Sequence, residues 1–457
     1  MSISTTKLQW ITHASCLLCH DNYFLITDPW YCKKAFTSWT VKPPPIINPK
    51  FIIDLTKTGK LGFLISHHHF DHYDIEFIKQ CDPNTPIFIT DFSKNEKEDL
   101  PEVKCLFNSL VEHCHMKNII EIPVGKAFYK QFGPFKLRSL RRPKPYTIDG
   151  ILTVESPDSF IMHCADCWGI EEDSYAGRVL KEIKPPNLPS IYMGQAGTAS
   201  GWPLIYSCYS EDEKKDILKN KTKKMITNIA KTCKQFNIDK ALGYAHLSYV
   251  YANGIDFFTK YNYLPIKGND ANQLIDKSLF LDIQPSSVVI PNNNFQIINL
   301  IPSIDFADYF EDNMSSTPLK QYDFTEEFKL KLDNWLGTFK DFVLQKLNEG
   351  LVVKNDVDLV FTVEVTKNSD TSAILYKNDI KMINGTRKKN MKCNENVIGN
   401  VINGVIPFKD IDVGYLGEFS REPKEIYNEM FFMLLGMHSH KFFNCNIIDS
   451  EEYEHQE

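Results

Sequence analysis

The chain has 457 residues, 43% of them hydrophobic and 24% charged. That is ordinary globular composition, long enough for two or three domains. Its 51 basic and 58 acidic side chains leave a net charge of -7, which argues against a general nucleic-acid binder. No apolar run reaches the ~18–20 residues needed to span a bilayer, so no membrane partner is expected. The opening MSISTTKLQW has no basic stretch followed by an apolar core, so no secretory signal is expected either. Twelve cysteines are too sparse for a disulfide scaffold and read as reduced thiols of a cytoplasmic protein.

Short strands are predicted over Lys7–Thr12, Ser15–Cys19 and Tyr23–Thr27, with a turn at His20-Asp21-Asn22. An apolar run, Leu61–Ser66, stops at a histidine-dense loop. A helix over Asp74–Gln80 and a strand over Pro86–Thr90 follow. Met225–Phe236 places Ile226, Ile229, Ala230, Cys233 and Phe236 on one helical face and runs into a strand, Lys240–Ala245. Strands separated by helices predict an α/β sandwich. A composition break at Asn313–Pro318 suggests a boundary between a larger domain over 1–315 and a small α+β domain over 319–457. In the latter, Phe328, Leu332, Trp335, Phe339 and Phe342 mark a helix over Phe324–Leu347. Asp356–Thr366 alternates as a half-buried strand, and Asn378-Asp379 reads as a hairpin turn. The order of elements is a little like that of a sterol-carrier-type domain.

The most informative stretch is Ser66-His67-His68-His69-Phe70-Asp71-His72. Imidazoles two apart at a strand end, His67 and His69, can face one cation, while Asp71 and His72 turn toward a second. A pair of metals so spaced can hold and deprotonate a bridging water. His68 is expected to face away. The arginines are also unevenly spread: of six, Arg138, Arg141 and Arg142 fall within five positions. A guanidinium fork matches phosphate or carboxylate oxygens two at a time. The three are therefore candidate ligands of a small anionic substrate, such as a nucleotide-sugar, with a solvated strand face as the alternative.

The His-x-His-x-Asp-His motif after a strand, preceded by a hairpin, resembles the metallo-β-lactamase superfamily. Thr12-His13-Ala14, Asp28-Pro29-Trp30, Ala35-Phe36, Ile65-Ser66-His67 and Gly197-Thr198-Ala199-Ser200-Gly201-Trp202-Pro203 are similar to the catalytic region of the CMP-N-acetylneuraminate hydroxylases. Arg421-Glu422-Pro423 is a weaker echo. The resemblance implies an αββα sandwich carrying the metal site, with a smaller C-terminal α+β domain. It also implies two divalent transition metals, iron before zinc or manganese. Their ligands would be His67, His69, Asp71, His72, a bridging Asp166 after Phe160–His163, and His246 after Gly243–Ala245; Asp71 and Asp166 would be the catalytic carboxylates. The superfamily's third histidine for the first metal is absent: the corresponding stretch reads Arg141-Arg142-Pro143-Lys144-Pro145-Tyr146. His113, His115 and His163 are the candidate substitutes. A single metal held by Asp71, His72, Asp166 and His246 is the alternative. His13, in a family-like position, reads as a structural hydrogen-bonding group or a pocket wall.

Cys16-Leu17-Leu18-Cys19-His20 matches a haem-attachment pattern, but it lies on a predicted hairpin and no haem is expected. Cys164-Ala165-Asp166-Cys167 lacks a second close Cys/His pair, and no Rieske ligand pattern is present. His438 and His440 read as helix-capping groups. Two reactions fit. One is an oxygenase that uses two irons to hydroxylate a small anionic metabolite, its electrons coming from a separate donor protein. The other is a metal-dependent hydrolase cleaving an ester, amide or phosphodiester.

Overall fold

The computed structural model describes residues 4–31, 34–41, 45–91, 106–141, 150–197, 200–245, 248–252, 255–257, 267–299, 319–350, 352–424 and 429–440. Two sheets carry the fold. Edge to edge, the first runs Gln296–Ile298, Val288–Ile290, Lys7–Thr12, Ser15–His20, Tyr23–Thr27, Leu61–Ile65, Ile87–Thr90 and Ile119–Ile122. The second runs Lys240–Tyr244, Ser190–Gln195, Phe160–His163, Gly150–Glu155, Phe135–Arg141 and Lys130–Phe132. Alternate residues of each strand point to opposite faces. Leu8, Leu18, Leu64 and Phe88 from the first sheet therefore meet Leu137, Leu152, Ile161 and Met193 from the second in one core. The other faces are covered by helices. Pro49–Thr56 and Ile75–Ile78 lie over the first sheet, where Ile52, Phe77 and Ile78 pack on Phe63 and Ile65. Tyr175–Ile183 and Glu211–Gln235 cover the second, where Leu180, Ile226 and Ile229 pack on Ile151 and Met162. This is the expected αββα sandwich.

Leu61–Ile65 is a central strand parallel to both neighbours, and Phe160–His163 is a central strand parallel to Ser190–Gln195 and antiparallel to Gly150–Glu155. Residues just past their carboxyl ends, such as the histidine loop and Asp166, lie at one rim of the sandwich, where sites of open α/β sheets form.

Beyond residue 319, the helix Glu326–Asn348 packs on a four-stranded sheet ordered Asp370–Lys381, Val360–Lys367, Lys388–Asn394, Glu418–Glu422. The expected boundary at 313–318 lies outside the described residues. Residues 356–366 are not one strand: Lys354–Val357 is a helical turn, and the strand starts at Val360. The predicted turn at Asn378-Asp379 lies inside the strand Asp370–Lys381, where Asn378 pairs with Val363 and Asp379 with Thr362. Thr362 Oγ1 donates to Asp379 Oδ1 over 2.7 Å, so this Asx pair is satisfied across the ladder instead of within a turn. The helix predicted over Met225–Phe236 begins earlier, at Glu211, because Ser210 and Glu213 form a capping box ahead of its apolar face.

The C-terminal elements share a core with the rim of the sandwich. Trp30, Phe36, Trp39, Leu204 and Tyr206 belong to the same buried cluster as Trp335, Phe361, Phe408 and Tyr415. Polar contacts lock the junction. Thr37 Oγ1 donates to Asp410 Oδ2 (2.6 Å), Ser38 Oγ to the Gly414 carbonyl (2.6 Å) and Trp39 Nε1 to the Val413 carbonyl (2.7 Å). His438 does not cap a helix end. It is buried against the rings of Trp335, Phe339 and Phe342, with Nε2 3.2 Å from Thr338 Oγ1. Among the described residues, no helix is long and apolar enough to cross a membrane.

Candidate metal centre

The strand Leu61–Ile65 delivers the loop, and a tight turn shapes it: the His72 amide donates to the His69 carbonyl over 2.9 Å. His67 and His69 thereby face one way, and Asp71 with His72 folds back beside them. Two groups of donor atoms result, His67 with His69 and Asp166, and His13 with Asp71 and His72; within each, the atoms lie within 4.8 Å of one another. Asp166 faces both. Its Oδ2 is 3.7 Å from His67 Nε2 and 4.0 Å from His69 Nδ1, while its Oδ1 is 3.2 Å from His72 Nε2. Asp71 Oδ2 lies 3.6 Å from His72 Nε2 and 3.4 Å from His13 Nε2.

Several inward-facing atoms of this group are buried without a hydrogen-bond partner among the described residues: both ring nitrogens of His13, Nε2 of His72, Oδ1 of Asp71 and Oδ1 of Asp166. Buried polar groups are normally satisfied. Convergent nitrogen and carboxylate donors left over in this way fit divalent transition ions. The backbone is also held in the left-handed region at His13 (φ 29°), Asp28 (φ 36°), Ala165 (φ 44°) and Ala245 (φ 56°). Such strain persists where the surroundings over-determine it. Here the Ala245 amide donates to the His13 carbonyl (3.2 Å) and the Gln195 amide to the Ala165 carbonyl (2.9 Å).

Beneath the donors lies Asp28, fully buried. It accepts from the Ser66 amide and hydroxyl, both at 2.8 Å, and from His72 Nδ1 at 2.7 Å; His163 Nε2 is 3.0 Å away. Burial alone would raise its carboxyl, but the His163 and His72 imidazoles hold it far below the usual range. The contacts form a consistent donor chain. The Ser66 hydroxyl donates to Asp28 and so accepts from His67 Nδ1 (2.9 Å), leaving Nε2 of His67 as the acceptor facing inward. His69 Nδ1 lies 2.8 Å from that Nε2 and donates to it, while its own Nε2 accepts from the Lys409 ammonium. Burial, then neighbouring charges (His72 for His67, Lys409 for His69), keeps both imidazoles well below the normal histidine range. His72 behaves oppositely. Against burial, Asp71, Asp166 and Asp28 hold it well above that range, so positive charge is favoured where Nε2 points.

His67, His69, Asp71, His72 and Asp166 thus come together. His246 lies outside the described residues. His163, a candidate substitute, is engaged by Asp28 and by the Tyr244 hydroxyl. His113 and His115 flank Cys114, which packs in the outer layer beside Ile75, and neither joins a donor group. His68 is half-buried and joins neither group. Arg138 pairs with Glu155 over 2.8 Å and lies over the Tyr129 ring, 5.6 Å from its centroid. Arg142 and the side chain of Arg141 lie outside the described residues.

His13 is a finding beyond its expected structural role, since its Nε2 faces Asp71 Oδ2 at 3.4 Å and joins the second donor group. Asp28 and Lys409 carried no assigned role either. The Asp-Pro-Trp run marks Asp28, but nothing local to the sequence brings Lys409 to residue 69.

No family model and no curated protein matches the chain. Solved structures do. A possible metal-dependent hydrolase from Veillonella parvula is 12% identical, with a TM-score of 0.41, over 63% of this chain and 99% of that one. CmlA, a diiron β-hydroxylase from Streptomyces venezuelae, is 10% identical, with a TM-score of 0.38, over 65% of this chain and 54% of that one. An isothiocyanate hydrolase from Delia radicum gut bacteria is 12% identical, with a TM-score of 0.36, over 62% and 98%.

Proposed function

We propose that the protein is a two-metal oxygenase that hydroxylates a small anionic metabolite. The observation that carries this reading is the donor set. Each group offers two imidazoles and one carboxylate, His67, His69 and Asp166 in one and His13, His72 and Asp71 in the other. Two histidines and one carboxylate with open positions are the set that suits non-haem iron oxygenases. Asp166, with one oxygen toward each group, would be the carboxylate shared by the two metals. Iron bound there would supply dioxygen activation, with electrons from a separate donor protein. The chain's own residues orient and exclude. Asp28 and Ser66 fix the ring directions of His72 and His67. Access is from the side of His69 and Asp166, whose side chains are 15% and 18% exposed against 0–3% for His67, His72 and Asp71.

The same donors suit a zinc or manganese pair, and hydrolysis is the second reading, favoured by the carboxylate shared between two sites as in two-metal hydrolytic centres. The deciding experiment is metal analysis of the purified protein with oxygen uptake after reduction. Two irons per chain that consume oxygen support hydroxylation; zinc with no uptake replaces it by hydrolysis; no stoichiometric metal overturns both.

A further inference from the structure

Behind the two donor groups, fully buried polar atoms form one continuous chain. It starts at the Ala165 amide, which donates to the Tyr244 hydroxyl over 3.2 Å. That hydroxyl meets Nδ1 of His163. The other nitrogen of the ring, Nε2, lies 3.0 Å from Asp28 Oδ2, off the hydrogen-bond line but in close polar contact. Asp28 in turn accepts from His72 Nδ1 at 2.7 Å. Tyr244, His163, Asp28 and His72 are each 0% exposed.

The partners fix the protons along this chain. The ring nitrogen that faces a carboxylate carries the proton, so Nε2 of His163 points its N–H at Asp28 and Nδ1 is left as an acceptor. Burial first, and the Asp28 charge next, push the Tyr244 phenol well above its usual range, so it keeps its proton and donates to Nδ1.

Both ends of the chain are tied to atoms that face the candidate metals. Ala165 directly precedes Asp166 and is held at φ 44°. Its amide is fixed by Tyr244, and its carbonyl accepts from the Gln195 amide over 2.9 Å. At the other end, Asp28 turns His72 so that its Nε2 lies 3.2 Å from Asp166 Oδ1. Neither Tyr244 nor His163 joins a donor group. Apolar rings would fill the same space without burying polar atoms; what the polar chain adds is direction.

We propose that Tyr244 and His163 are positioning residues that fix the gap between Asp166 and His72, and so let one carboxylate serve both metals. Their purpose rests on the two-metal reading.

The test is titration of the full-length, metal-free protein with cobalt(II), followed by its visible absorption, which reports the coordination geometry. Tyr244→Phe removes one hydroxyl and keeps the ring. It is expected to weaken the cobalt ion beside His72 and Asp166 about ten-fold or more and to change its spectrum. His163→Gln can offer an acceptor to Tyr244 and a donor to Asp28, and is expected to stay close to the parent in both readouts. His163→Asn, too short to reach both, is expected to resemble Tyr244→Phe. Should Tyr244→Phe not fold, the two His163 variants carry the comparison. A loss of melting temperature with the parent's cobalt affinity and spectrum, in Tyr244→Phe or in His163→Asn, overturns the positioning role and leaves a packing one. A parent that takes up no cobalt overturns the two-metal reading itself, and the positioning role with it.

Discussion

Oδ2 of Asp28 lies 2.7 Å from Nδ1 of His72, and this contact turns Nε2 of His72 toward Asp71 and Asp166. A carboxylate behind a metal-binding imidazole fixes its tautomer and orientation. Asp28→Asn keeps the shape but makes the partner a weaker acceptor. Metal affinity is expected to fall about 10–100-fold with the fold retained, read by competition with a chelator. Unchanged affinity would remove Asp28 from the centre's support.

His13 supplies the third donor of its group. His13→Ala is expected to lower metal content by about one ion per chain while the ion held by His67, His69 and Asp166 stays. Elemental analysis of the variant beside Asp166→Ala, expected to weaken both sites and abolish activity, separates the two roles. Full metal content in His13→Ala would return that ring to the pocket wall.

Metal uptake should be linked to protons. Asp71, Asp166 and Asp28 hold His72 above the ordinary histidine range against burial, so the metal-free folded protein favours its protonated form. The stability this contributes is complete below the unfolded value of about 6.5 and is lost as pH rises through the higher folded value. His67 and His69 are held low, so they oppose folding as pH drops below about 6.5, where the unfolded chain takes up protons. Metal binding at neutral pH is expected to release about one proton from His72, measured in a weakly buffered titration. No release would contradict the assigned charge state.

Lys409 donates to the nitrogen of His69 that points away from Asp166. That contact favours the proton on Nδ1, the nitrogen a metal would need. Lys409→Met is expected to tighten metal binding at this group several-fold, since a competing donor and a like charge are both removed. Weaker binding in the variant would show the lysine supports the metal.

Much of the centre was legible because its donors are local. His67 through His72 are set by one strand end, and the apolar run Leu61–Ser66 marks that end where it stops at the histidine loop. Asp166 follows a strand by the same logic. His13 and Asp28 were harder, because their role depends on strands pairing so that a left-handed turn and a buried carboxylate sit behind the loop. Lys409 was not readable at all, being brought to His69 by packing across 340 positions of chain. The misplaced turn at Asn378-Asp379 has a physical cause: a turn-forming pair can be outbid by a cross-strand partner, here Thr362.

The clasp between residues 37–39 and the Asp410–Gly414 stretch bears on how this half of the molecule can be reused. It is not a portable cassette. A fragment ending before residue 319 would present Phe36, Trp39 and Tyr206 to water, with the donors of Thr37, Ser38 and Trp39 left for solvent to claim. Grafting the sandwich onto another protein would require the tail to travel with it, and substitutions on either side of the clasp must be matched on the other.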